Sequence, residues 1–92
     1  MGPADESAAA DAIVKLYARP GCHLCDEARR ELEAMRTAGA RFDLIEVDIE
    51  DDDELLRAYL ERIPVIAVGD EVVSELELDA PALEARLATV QQ

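Results

Sequence analysis

The sequence predicts an α/β fold, a four-stranded mixed sheet built in the order β-α-β-α-β-β-α with helices over both faces. Three observations predict it. Short β-branched apolar runs alternate with longer segments whose apolar residues recur every three or four positions. The first strand–helix–strand unit requires a parallel pair joined by a right-handed crossover. The last two runs are separated only by Gly69-Asp70, a tight turn that closes an antiparallel hairpin.

The elements follow in order. Residues 1–11 are small and polar without periodicity and are expected to be a flexible segment, with 12–92 forming one domain. Ile13-Val14-Lys15-Leu16-Tyr17 suits a buried strand, stopped by the turn residues Arg19-Pro20-Gly21. From Leu24 to Thr37 the pattern is helical, with Cys25, Ala28, Leu32 and Met35 on one stripe and Gly39 placed to cap the end. Phe42 to Ile49 alternates and reads as the second strand. The acidic cluster Glu50 to Glu54 opens a second helix, its charges complementing the positive end of the helix dipole. Leu55, Leu56, Tyr59, Leu60 and Ile63 form the apolar stripe of that helix, and Pro64 ends it. Val65 to Val68 and Glu71 to Ser74 are the hairpin strands. Asp79 caps a last helix with Pro81 in its first turn and Leu83, Leu87 and Val90 facing inward.

Composition narrows the function classes. Of 92 residues, 16 are Ala, while Leu, Val and Ile supply 11, 7 and 5, enough for one compact core. Twenty-two acids against nine bases give a net charge of −13, which repels phosphate backbones and anionic lipid. With no Trp, one Phe and two Tyr, a base-stacking surface is not expected either. No apolar run approaches a membrane span, and the first eleven residues have neither the basic start nor the apolar stretch of a secretory signal. The expectation is a cytoplasmic monomer that binds neither nucleic acid nor membrane.

The chemistry concentrates in Cys22-His23-Leu24-Cys25. Cys22 follows a Pro-Gly turn and stands where the first helix begins, so unpaired backbone N–H groups and the dipole favour a thiolate there. A thiol of pKa about 8.5 is only about 3% ionised at pH 7. Lowering it to about 6 makes it roughly 90% thiolate, for about 3.4 kcal/mol of differential stabilisation. The thiolate is the attacking species in disulfide exchange. Cys25, one turn later on the inward stripe, is shielded but close enough to resolve a mixed disulfide. Two other readings of the pair stand beside this one: half of a zinc site, which lacks two further soft ligands, and two inert buried thiols. His23 adds positive charge beside Cys22 or is merely exposed. Arg19 supports the thiolate or an anionic substrate, or is a plain surface arginine. Pro64, entering the third strand, turns the chain tightly if the Ile63–Pro64 bond is cis, and simply stops the helix if it is trans.

Leu16 to Cys25, followed by Ile63-Pro64-Val65, resembles the glutaredoxins of the thioredoxin superfamily, and within them a bacterial glutaredoxin-like branch carrying Arg-Pro-Gly-Cys-His-Leu-Cys. The resemblance spans residues 12 to about 90. It implies a thioredoxin-type fold and a thiol–disulfide oxidoreductase active in electron transport, with Cys22 as nucleophile, Cys25 resolving and Arg19 supporting the thiolate. It also implies a cis Pro64 flanked by Ile63, the two together presenting backbone to the substrate. No metal or bound cofactor is expected; the expected partners are a disulfide-containing protein or small thiol and, since the residues that grip glutathione are absent, a thioredoxin-type reductase. Two departures weaken the implied use of glutathione as co-substrate. His23-Leu24 replaces the usual Pro-Tyr between the cysteines. Arg62-Ile63 and Val73-Ser74-Glu75 stand where glutaredoxins carry Thr-Val and a diglycine turn, and the segment offers acid where glutathione needs N–H groups. Two alternative functions keep the same residues: a non-catalytic binding module, and a dimer bridged by an iron–sulfur cluster held through Cys22.

Overall fold

The computed structural model describes residues 12–90, so the segment 1–11 and its expected flexibility lie outside the described residues. Strand β1 (Ile13–Ala18) leads into helix α1 (His23–Thr37) and strand β2 (Asp43–Asp48). A 3₁₀ turn (Ile49–Asp51) and helix α2 (Asp53–Tyr59) follow, then strands β3 (Val65–Val68) and β4 (Glu71–Glu75) and helix α3 (Ala80–Val90). The sheet order is β2-β1-β3-β4. β1 and β2 are parallel, β3 runs antiparallel to β1, and β4 antiparallel to β3 with an irregularity between Ile66 and Ala67. This is the mixed four-stranded α/β architecture that the apolar pattern predicts.

Register assigns the faces. Leu16 pairs with Glu46 on one side and Ile66 on the other, so these residues share a face with Val14 and Val68. Arg29 of α1 bonds Glu46, and Arg86 of α3 bonds Glu71, the partner of Val68. Helices α1 and α3 therefore cover the same face. Tyr17 points the other way, its ring 5.0 Å from that of Tyr59 in α2. The core is the apolar filling of this sandwich, with Val14, Leu16, Cys25, Leu32, Ile49, Val65, Ile66 and Leu83 fully buried. Closing those side chains off from water is the main favourable term holding the fold.

Some boundaries differ from the pattern-based expectation, each for a local reason. The acidic cluster does not open a single helix. The Asp48 carboxylate accepts from Glu50 N–H and caps the 3₁₀ turn, and Asp52 accepts from Glu54 and Leu55 N–H to start α2. The helix then stops at Tyr59, before Pro64. Arg62 and Ile63 N–H both bond the Tyr59 carbonyl, so Leu60 lies outside the stripe and is exposed while Ile63 is buried. Ile45 is also exposed, because β2 is an edge strand and short α2 leaves part of that face open. Gly39 does end α1 as expected: it follows the last-turn residue Ala38 with φ 117°, its N–H donates to the Arg36 carbonyl, and the Ala40 N–H donates to that of Met35. Asp79 accepts from Ala82 N–H at the head of α3 as expected, and Leu83 and Leu87 are buried. The Val90 side chain lies outside the described residues.

Candidate active site

The site lies at the carboxyl end of β1. After buried Ala18 the chain turns through Arg19-Pro20-Gly21; Cys22 N–H closes the turn on the Arg19 carbonyl at 3.3 Å. Gly21 sits at φ 80°, a conformation that a side chain resists, which is why glycine suits this position. Cys22 is the N-cap of α1, with extended backbone at φ −86° and ψ 108°. Its Sγ accepts a hydrogen bond from the Cys25 N–H at 3.1 Å, doing what a Ser or Asp oxygen usually does at this position. The Asp26 N–H bonds the Cys22 carbonyl and begins the helical ladder.

The two sulfurs differ in access. Cys22 is half-buried, whereas Cys25 has 0% exposure and packs with Ala28 and Leu32 on the buried stripe. They are joined as a disulfide with Cα atoms 5.2 Å apart. Cys22, at the helix mouth, is thus the more accessible of the two.

The charged neighbours are engaged elsewhere. His23 is exposed and directs Nε2 to Glu27 at 3.0 Å, one turn down the helix. Arg19 donates from Nε to Glu50 at 2.9 Å, tying the turn to the 3₁₀ segment. Arg29 joins Asp26 on its own helix at 2.7 Å and forms a two-pronged pair with Glu46 on β2. The guanidinium hydrogen bond from Arg29 holds the Asp26 carboxyl below its usual 3.8, and the bonds to Glu46 and Asp26 raise Arg29 further. Arg19, Asp26, Arg29 and Glu46 line a cleft of about 340 Å³ with Ala18 and Gly21 beside the CxxC loop.

The Pro64 turn meets the same end of the sheet. Tyr17 pairs with Val65, so Pro64 lies level with Ala18, from which the CxxC loop departs. The Ile63–Pro64 bond is cis, Pro64 is fully buried and Ile63 is 9% exposed. The Leu76 N–H is bifurcated between the carbonyls of Arg62 (3.0 Å) and Pro64 (2.9 Å), fastening the segment after β4 to this turn. Leu76 is the one residue other than glycine among the described residues with positive φ, at 73°. Left-handed backbone costs an L-residue about 1–2 kcal/mol. Nothing in a leucine announces that conformation, so the sequence holds no signal for Leu76. Glu50 and Glu46 are missed for a different reason: each meets its arginine through the fold, 31 and 17 residues away.

Comparison with known proteins bears on the whole arrangement. A family model described as glutaredoxin-like domain (DUF836) matches residues 13–88. A Nitrosomonas europaea protein solved by NMR is 28% identical, with a TM-score of 0.73 over 82% of this chain and 89% of that one. A protein from X. campestris is 38% identical, with a TM-score of 0.61 over 83% of this chain and 96% of that one. A thioredoxin from Halobacterium salinarum is 17% identical with a TM-score of 0.62, covering 96% of this chain and 81% of that one, a likeness of fold. No match is found among curated proteins. No helix among the described residues is long and apolar enough to cross a membrane.

Proposed function

Because this chain belongs to the glutaredoxin-like domain family, we propose that it is a thiol–disulfide oxidoreductase in which Cys22 attacks and Cys25 resolves. The observation that carries the reading is the capping bond: an N–H at the head of α1 points at the Cys22 sulfur, while Cys25 is closed off behind it. A backbone N–H and the positive end of the dipole stabilise an anion there without any need for a charged side chain. This matters because Arg19 and His23 are turned to carboxylates.

The chemistry balances as a two-electron exchange. Reduced Cys22, as thiolate, attacks one sulfur of a substrate disulfide; the other sulfur leaves as a thiolate and takes up a proton. Cys25 then loses its proton and attacks the Cys22 sulfur, forming the intramolecular disulfide and releasing the second substrate thiol. The substrate gains two electrons and two protons, and the protein ends oxidised. An external thiol or dithiol must return both electrons, so the cycle belongs in a reducing compartment such as the cytoplasm.

The electron source is the open half of the cycle. Acidic Val73-Ser74-Glu75-Leu76-Glu77 and the net charge of −13 disfavour an anionic tripeptide thiol. The expected donor is a protein dithiol of the thioredoxin-reductase type, with glutathione used weakly. A nicotinamide-coupled assay on 2-hydroxyethyl disulfide, run first with glutathione and its reductase and then with a thioredoxin reductase, tests this. Turnover is expected with the second donor and to be lost in Cys22→Ser. No turnover with either donor removes the oxidoreductase reading, and efficient turnover with glutathione at low millimolar concentration removes the proposed donor.

A further inference from the structure

Arg19 is the arginine closest in sequence to Cys22, and its carbonyl accepts the Cys22 N–H. Its guanidinium nevertheless turns to Glu50, whose Oε2 accepts from Nε at 2.9 Å and lies 2.6 Å from Nη2. The fold fixes that meeting. Ala18 pairs with Asp48 at the last step of the parallel β1–β2 register, so the two strands end level. Arg19 stands one residue beyond β1 and Glu50 two residues beyond β2. Buried Ile49 anchors the 3₁₀ turn, and the Asp48 carboxylate holds the Glu50 N–H at 2.8 Å.

The two side chains are 41% and 39% exposed, and an ion pair so open to water adds little to folding. Its larger effect is on the charge that a small substrate meets. Arg19 lines the cleft beside the CxxC loop together with Arg29, Asp26, Glu46 and Asp48. Arg29 is taken by Asp26 and Glu46. With Glu50 added, four carboxylates surround two guanidiniums. An incoming carboxylate therefore finds both arginines engaged and must compete with Glu50 for Arg19. A neutral or cationic molecule meets no such competitor.

We infer that Glu50 is a specificity-determining residue: by holding the Arg19 guanidinium it withholds that charge from anionic thiols and disulfides, so Cys22 exchanges preferentially with neutral or cationic ones. The inference rests on the oxidoreductase reading of Cys22 and names the substrate class of that same site. Glu50 acts through Arg19 and is a positioning residue. Removing its charge frees a guanidinium able to pair with a substrate carboxylate, and the preference turns toward anions.

The test measures exchange rates of the reduced protein with three small disulfides: anionic 3,3′-dithiodipropionate, neutral 2-hydroxyethyl disulfide and cationic cystamine. The readout is the dithiodipropionate rate divided by the cystamine rate, which cancels any change in the reactivity of the sulfur itself. Glu50→Gln should raise that ratio about tenfold over wild type. Glu50→Asp, which keeps the charge, should stay within about twofold of wild type. Arg19→Gln combined with Glu50→Gln restores the wild-type net charge and removes the freed guanidinium, so its ratio should return to within about twofold of wild type. Glu84→Gln, an exposed change on α3, should move the ratio by less than about twofold. A Glu50→Gln ratio equal to wild type overturns the proposal. So does a rise that persists in the double variant or is matched by Glu84→Gln, since Arg19 would then not carry it. In each of these cases reduction of 2-hydroxyethyl disulfide leaves the thiol chemistry standing. Failure of the wild-type protein to reduce any of the three overturns the oxidoreductase reading and this inference with it.

Discussion

The Cys22 sulfur and the Cys25 sulfur have the same chemistry and different surroundings. One receives a helix N–H and faces outward; the other is packed against Ala28 and Leu32 with no access to water. Burial raises a thiol pKa and a helix N-terminus lowers it, and on the proposed reading this difference is what attack followed by resolution requires. Beside them, Asp26 and Arg29 serve the scaffold. Because the Arg29 hydrogen bond depresses the Asp26 carboxyl below 3.8, its contribution to stability is present above that value and lost as pH falls through the folded-state pKa. Arg29→Met should therefore destabilise the protein at neutral pH and flatten its acid dependence below about pH 4. Urea unfolding across that range measures it; an acid slope as steep as wild type would mean that the pair contributes nothing.

Among the elements, the strands, the central helix and the hairpin were legible because each has one strong period and one clear stop. The first helix is read from Cys25, Ala28, Leu32 and Met35 and ends within one residue of the expected cap. The stretch from Asp48 to Ile63 was harder because five consecutive acidic residues offer several competing caps. Asp48 and Asp52 divide the segment between them, and a helix of seven residues results where a longer one was expected. So short a helix depends on its cap and on packing more than on propensity. Asp52→Ala, which removes the acceptor for Glu54 and Leu55 N–H, should cost about 1 kcal/mol. Chemical denaturation reads that loss, and Asp52→Ser should recover most of it. A change no larger than a surface substitution elsewhere would show that the tilted packing of Tyr59 against Tyr17 holds α2 without the cap.

At the scale of the molecule, three separate pieces of chain meet at one end of the sheet: the CxxC turn, the Pro64 turn and the segment after β4. The cysteines and the proline were legible as a site because their spacing and residue types carry the chemistry directly. The ties of Arg19 to Glu50, Arg29 to Glu46 and Leu76 to the Pro64 turn were not, since each is made only when distant segments fold together. The consequence of that convergence is one accessible sulfur and one enclosed sulfur, and the most direct test addresses it. The measurement is the rate of iodoacetamide alkylation against pH for Cys25→Ser and Cys22→Ser, each fully reduced. The account predicts that Cys25→Ser, which keeps Cys22, reacts fast with a midpoint well below the ordinary thiol value of about 8.5. It predicts that Cys22→Ser stays nearly inert below about pH 7. A fast, low-pH thiol in Cys22→Ser and a slow one in Cys25→Ser would contradict it and exchange the roles of the two cysteines.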